Sequence, residues 1–291
     1  MANKQKVVGR YAPSPSGDQH LGNLRTALLA WLHARLQGGE FLLRMEDIDT
    51  PRNVRGSAEK ILRDIEWLGL DWDGKVSYQS QRLAAYQAAL NALVFQQLVY
   101  PCFCSRKDIR LAASAPHGKG PIYPGICAAL TSEEVVQKRE GKEPALRLRV
   151  SPNLLESCGD FVIKRADGLF AYQLAVVVDD LDQAVTEVVR GCDLMSSTQR
   201  QIYLAQLLQP NHGRIKYLHA PLMIDALGAR MSKRFGSYSV NDYKEAGGSS
   251  DELVGELAFG LGLIDNEHAL SATELLAQTS LKDVSAVLSS D

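Results

Sequence analysis

Val7-Val8-Gly9-Arg10-Tyr11-Ala12 runs into Pro13-Ser14-Pro15-Ser16-Gly17-Asp18 and then Gln19-His20-Leu21-Gly22-Asn23-Leu24, with apolar residues recurring at Ala27, Leu28, Trp31 and Leu32. A short apolar run, a breaker-rich loop and a 3.6-residue period predict strand, turn and helix in that order. Gly38-Gly39 closes the helix, as glycine does past a helix C-terminus. Phe41 to Met45 then predicts a second buried strand, leading into the acidic tract Glu46-Asp47-Ile48-Asp49-Thr50-Pro51-Arg52. Ile61, Leu62, Ile65 and Leu68 mark another helix. Strand, helix, strand, helix implies an α/β fold on a parallel sheet.

Residues 101–127 break this rhythm with a cysteine-rich loop, and a helix over about 133–139 follows, opened by the capping box Thr131 to Glu134. The stretch Phe161 to Leu181 predicts two strands around an Asp167-Gly168 turn, the second apolar enough to be buried. Helical patterns resume from Leu253 to Leu263 and again near the end, with capping boxes at Ser249 to Glu252 and Ser271 to Glu274. There is no internal repeat and no low-complexity tract.

At 291 residues with 45% hydrophobic content, the chain has enough apolar mass for a sizeable core, which excludes a disordered protein. No stretch approaches 18 uninterrupted apolar residues, and Met1 to Ser14 lacks the apolar centre of a signal peptide. A soluble, cytoplasmic protein without a membrane partner is expected. A net charge of −2 gives no whole-chain signature of nucleic-acid binding, so RNA contact would need a local basic face. Arg25, Arg106, Lys107 and Arg234 are candidates for one, and a solvated face accounts for them equally well.

Two constellations carry chemistry. The loop from Ser14 to Asn23 sits where a strand ends and a helix begins, a place that offers backbone N–H groups and the positive end of the helix dipole to phosphates. Gly22 has no side chain to block close approach of a nucleotide. The second is Arg230-Met231-Ser232-Lys233-Arg234, a basic loop between Gly228 and Gly236. Its lysine suits a transition state that spreads negative charge over phosphate oxygens. Each pattern alone is weak, since loops with a surface histidine and solvated basic turns are common.

Together and in this order they resemble the two signatures of class I aminoacyl-tRNA synthetases. Gly9 to Trp31, Phe41 to Arg52, Leu169 to Asp180, Val185 to Leu194 and Arg230 to Val240 narrow the resemblance to the glutamyl branch. The resemblance implies a Rossmann-like (HUP) nucleotide-binding domain on a parallel sheet, with a zinc-binding insertion and a short C-terminal helical appendage. It implies ATP and Mg²⁺ as co-substrates and His20 and Lys233 as catalytic groups. Arg10, Tyr11, Ala12, Pro13 and Ser14, with Glu46, Tyr172 and Arg190, would bind glutamate. Gly22, Asn23, Met231 and Ser232 would join His20 and Lys233 around ATP. A guanidinium fork matches a carboxylate and is left poorly paired by an amide, which is how such a site selects charge. Leu21 and Asn23 depart from the literal letters of the first signature.

Cys102, Cys104 and Cys127 are the clustered members of five cysteines, a pattern that favours a metal over disulfides in a cytosolic chain. A tetrahedral zinc needs a fourth ligand, and the residues alone leave His117 and Tyr123 open. Cys-x-Cys followed by Tyr-Pro-Gly-x-Cys resembles the zinc module of glutamyl-Q tRNA(Asp) synthetases, which implies one structural zinc on Cys102, Cys104, Tyr123 and Cys127. Cys158 and Cys192 read as packing residues.

The same resemblance implies a division into a first catalytic half at 1–100, a zinc insertion at 101–160, a second catalytic half at 161–240 and a helical appendage at 241–291, with no anticodon-binding domain. It implies an enzyme that forms glutamyl-adenylate and transfers glutamate to queuosine at the wobble position of tRNA(Asp); nothing in the sequence demands a second subunit, and a monomer is expected. The alternative is a shortened glutamyl-tRNA synthetase that charges the 3′ end of tRNA(Glu).

Overall fold

A computed structural model describes residues 6–105, 107–109, 122–223 and 239–290. The first half of the chain carries β1 (Val8–Tyr11), α1 (Leu21–Arg35), β2 (Glu40–Met45), α2 (Ser57–Trp67), β3 (Ser77–Tyr78), α3 (Leu83–Phe95) and β4 (Val99–Cys102). There follow α4 (Ser132–Arg139), β5 (Ala145–Leu148), β6 (Phe161–Lys164), α5 (Tyr172–Asp182), β7 (Glu187–Gly191), α6 (Thr198–Leu208) and β8 (Lys216–Ala220). The chain finishes with α7 (Val240–Glu245), α8 (Ser250–Gly260), α9 (Ala272–Gln278), α10 (Leu281–Val287) and β9 (Ser289–Ser290). Two compact units result, one from residues 1–81, 184–195 and 213–291, the other from 82–183 and 196–212.

In the first unit β1, β2 and β3 pair in parallel, as do β7 and β8. The Thr186 N–H donates to the Val8 carbonyl at 2.9 Å, and the Val8 N–H donates to Thr186 Oγ1 at 2.9 Å. These bonds set β7 beside β1. Leu24, Leu28 and Leu32 of α1, fully buried, pack with Phe41 and Leu43 of β2 and with Ile61 and Ile65 of α2 in one core. Removing such side chains from water is worth roughly 1.5–3 kcal/mol each, which makes this cluster the main support of the unit. At the end of α1, Gly38 takes φ +62° and Gly39 donates to the Ala34 carbonyl at 2.9 Å. A Cβ on Gly39 would lie 2.6 Å from the Val7 carbonyl oxygen, so only glycine lets the chain turn into β2 here.

The second unit holds an antiparallel sheet in which β5 lies between β4 and β6. Here the structure corrects one expectation. The apolar run after the Asp167-Gly168 turn is the helix α5 and not a strand. Gly168 does make the turn at φ +85°, and Phe170 bridges back to Lys164, but the chain then coils. Every residue from Leu174 to Leu181 is buried, and a helix covered on all sides reads in sequence like a buried strand. Among its buried polar groups, Asp179 accepts from the Tyr86 hydroxyl at 2.9 Å and pairs with Arg82. No helix among the described residues is long and apolar enough to cross a membrane.

Candidate active site

The sheet order of the first unit fixes where a ligand fits. Strands β2 and β3 extend on one side of β1, while β7 and β8 extend on the other. Ligands of open α/β sheets sit at the carboxyl ends of the strands where the order reverses, here between β1 and β7. Arg10 belongs to β1 and Arg190 to β7, and both are about 4% exposed. The Arg190 Nε–H donates to His219 Nε2 at 3.3 Å, and its guanidinium lies 4.8 Å from the Tyr217 ring centroid. Both contacts orient the guanidinium plane.

His20 is the N-cap of α1, with φ −87° and ψ 156°. Its Nδ1 accepts from the Asn23 N–H at 3.2 Å, satisfying one of the orphan donors of the first turn. A ring that accepts at Nδ1 carries its proton on Nε2. Gly22 leaves room for that ring: a Cβ there would stand 3.0 Å from His20 Nδ1 and 3.1 Å from its Cε1. Met223 and Ser239, which flank the segment 224–238, also lie here. Met223 Cβ is 3.7 Å from the same added Cβ, and Ser239 bridges to His20.

The loop between β1 and α1 is pinned by Ser57 of α2. The Ser57 hydroxyl donates to the Gly17 carbonyl at 2.7 Å and accepts the Gly17 N–H at 3.2 Å, with Gly17 at φ +120°. Glu46 follows β2; its N–H donates to the Pro13 carbonyl at 2.9 Å, and its carboxylate lies 3.8 Å from Arg44 Nη2. Tyr11 is buried, and its hydroxyl donates to Gln19 Oε1 at 2.9 Å. Burial, with a smaller contribution from Asp64, pushes its phenol pKa upward. Ala12 is half-buried, Pro13 buried and Ser14 exposed. Arg25 is turned inward, donating to the Pro221 carbonyl at 2.6 Å, which removes it from any exposed basic face.

Thus Arg10, Tyr11, Ser14, His20, Gly22, Asn23, Glu46 and Arg190 all belong to the first unit. Tyr172 belongs to the second, where it is half-buried in the first turn of α5. Arg106, His117, Met231, Ser232, Lys233 and Arg234 lie outside the described residues. Sequence reasoning missed Ser57, Gln19 and His219. Ser57 carried a faint signal, because a serine at the head of a helical pattern reads as a cap; the cap is Gly56 and the hydroxyl serves a loop 40 residues away.

In the second unit the Sγ atoms of Cys102, Cys104 and Cys127 lie within 4.8 Å of one another. Cys104 Sγ is 3.5 Å from Cys127 Sγ, and the Tyr123 hydroxyl is 3.4 Å from Cys102 Sγ and 3.7 Å from Cys104 Sγ. The Cys127 N–H donates to that hydroxyl at 2.8 Å, and the Arg147 guanidinium lies 3.7 Å from the Tyr123 ring centroid. Burial pushes the Cys104 thiol up to about 12, and burial with the Cys102 hydrogen bond raises the Tyr123 phenol. Burial opposes ionisation of Cys102 as well, but hydrogen bonds from Tyr123 and Arg147 outweigh it and lower that thiol. Acids held this close resist ionising together, and a cation reverses that balance.

Comparison with known proteins adds the family. Residues 6–289 match the model for tRNA synthetases class I (E and Q), catalytic domain. The glutamyl-Q tRNA(Asp) synthetase of Symbiobacterium thermophilum is 44% identical, over 93% of this chain and 91% of that protein. That of Nocardia farcinica is 47% identical, over 88% and 85%. Among solved structures, the glutamate-tRNA synthetase of Elizabethkingia anophelis superimposes with a TM-score of 0.78 at 25% identity. That match covers 96% of this chain, which spans 66% of the length of the other. The chain belongs to the class I (E and Q) tRNA synthetase family and groups there with the proteins named glutamyl-Q tRNA(Asp) synthetase.

Proposed function

We propose that this protein is a ligase that activates L-glutamate with ATP as glutamyl-adenylate and transfers the glutamyl group to queuosine at the wobble position of tRNA(Asp), acting as a cytoplasmic monomer. The observation that carries the chemistry is the pair of buried guanidinium groups, Arg10 and Arg190, on adjacent strands at the head of α1. Buried arginines on a binding face suit a dicarboxylate, and the acceptor follows from the relatives' names.

In this reading the glutamate α-carboxylate oxygen bonds to the α-phosphorus of ATP while the bond to the pyrophosphate oxygen breaks. A queuosine hydroxyl then takes the acyl group and AMP leaves. His20 meets the phosphates through its Nε2–H, a neutral donor, beside the N–H groups of the first turn of α1. Lys233 adds a cation to the departing pyrophosphate. In sequence it lies between Met223 and Ser239, two residues that stand beside His20. Glu46 takes the substrate ammonium. Mg²⁺ that accompanies ATP neutralises charge on the phosphate oxygens.

Cys102, Cys104, Tyr123 and Cys127 hold one structural zinc in this reading. Bonds of about 2.3 Å to sulfur and about 2.0–2.2 Å to oxygen at tetrahedral angles require S···S near ~3.8 Å and S···O near ~3.6 Å. The separation of 3.5 Å between Cys104 and Cys127 Sγ, and those of 3.4 and 3.7 Å from Cys102 and Cys104 Sγ to the phenol oxygen, fit that set. The surroundings raise the Tyr123 phenol, a bound cation would reverse that, and the Cys127 N–H donated to its oxygen then favours the phenolate, which supports the tyrosine as fourth ligand.

The test is transfer of labelled glutamate, with ATP and Mg²⁺, onto queuosine-containing tRNA(Asp) and onto tRNA(Glu) in parallel. Label on the first alone is expected. Label on tRNA(Glu) alone refutes the acceptor, and absence of glutamate-dependent pyrophosphate exchange refutes the activation step as well.

A further inference from the structure

Gln19 is 2% exposed, an unusual depth for a carboxamide at a loop-to-helix junction. Its Oε1 accepts two hydrogen bonds, from the Tyr11 hydroxyl at 2.9 Å and from Asn23 Nδ2 at 2.9 Å. Its main-chain carbonyl accepts the Val240 N–H at 3.1 Å, next to the bridge between His20 and Ser239. One residue therefore joins the end of β1, the first turn of α1 and the start of α7. Asn23 is held from two directions, its amide side chain by Gln19 and its main-chain N–H by His20 Nδ1 at 3.2 Å. The carboxamide of Gln19 fixes Asn23, and Asn23 fixes the ring and the tautomer of His20.

We propose that Gln19 is a positioning residue for His20, acting through Asn23 to keep the imidazole as an N-cap acceptor with its proton on Nε2. This rests on the reading of His20 as a phosphate contact. A group that is set by Gln19 and used in the transition state affects turnover rather than substrate affinity. Leucine at this position fills similar volume but leaves the Tyr11 hydroxyl buried without its acceptor. Tyr11→Phe combined with Gln19→Leu removes both polar partners and so relieves that burial cost, while Asn23 still lacks its anchor.

The experiment measures glutamate-dependent pyrophosphate exchange and thermal melting for Gln19→Leu, Tyr11→Phe and the double variant, with a ¹⁵N-histidine spectrum of each. Gln19→Leu is expected to lower kcat about tenfold or more. KM for ATP and glutamate should stay within about threefold. In the double variant the melting temperature returns toward that of Tyr11→Phe while kcat stays low. The His20 signal should show an unprotonated Nδ1 in the natural protein and averaged nitrogens once Gln19 is leucine. Recovery of kcat together with melting temperature would reduce Gln19 to a packing residue and overturn the proposal, as would an unchanged His20 spectrum. The spectrum needs no activity, so a natural protein that fails to exchange pyrophosphate sinks the proposed function while the role of Gln19 is still decided.

Discussion

Gly22→Ala separates the two reasons for a glycine at that position. The new methyl would stand 3.0 Å from His20 Nδ1 and 3.1 Å from Cε1, so the ring must move by several tenths of an ångström. The cap bond, already 3.2 Å long, then passes beyond hydrogen-bonding range. Losing an N-cap costs about 1 kcal/mol. Replacing glycine by alanine inside a helix returns up to about 1 kcal/mol. The two nearly cancel, and a shift in melting temperature of no more than about 3 °C is expected for a chain of this size. Activity does not share that cancellation. A displaced charge-stabilising donor costs roughly 10- to 100-fold in kcat. Pyrophosphate exchange beside a thermal melt reads both quantities from one preparation. Exchange within about twofold of the natural protein, at unchanged stability, would show that His20 does not need its ring held where the cap puts it.

Tyr123→Phe should cut zinc affinity by about 10- to 100-fold or more, read by competition with a chromogenic chelator, because it leaves three thiolates and no fourth ligand. Equal zinc content after that competition would remove Tyr123 from the site. Ser57→Ala takes away both hydrogen bonds to the Gly17 peptide, and a loss of about 1–3 kcal/mol in chemical denaturation with a raised KM for ATP is expected. Glu187 lies against His33 and accepts from Gln37, and the His33 hydrogen bond is the main reason its pKa falls below the ordinary carboxylate value. A lowered carboxylate contributes stability above its unfolded pKa and loses it as pH falls through the folded value. Glu187→Gln should therefore flatten the acid side of the stability profile below about pH 4.5, and an unchanged slope there would assign acid sensitivity elsewhere.

Local rules were legible where sequence neighbours enforce them. The closure of α1 at Gly38-Gly39 and the boxes at Thr131, Ser249 and Ser271 stand as the residues indicate. Two further boxes, Ser239 with Asp242 and Ser280 with Asp283, went unread because the pattern sought glutamate or glutamine three residues on, and aspartate closes the same pair. The α5 error has another source: periodicity vanishes when an element is buried on every side, so Leu174 to Leu181 held no phase to read. Arg10, His20 and Arg190 were visible through a family pattern. Their supports were not, since His219 meets Arg190 across 29 residues and Ser57 meets Gly17 across 40. Such pairings belong to the sheet and loop geometry, which local residue pattern does not encode.

β9 is two residues long, yet it pairs antiparallel with β8 through Leu218 with Ser290 and His219 with Ser289. Without it, β8 would offer the outermost row of unpaired peptide groups on an otherwise parallel sheet, the kind of margin on which other chains add strands. A segment 70 residues further along the chain thus acts as a selvedge. Some 70 residues separate the two strands, so during synthesis the margin of β8 stays open to intermolecular pairing until the intervening chain has been made.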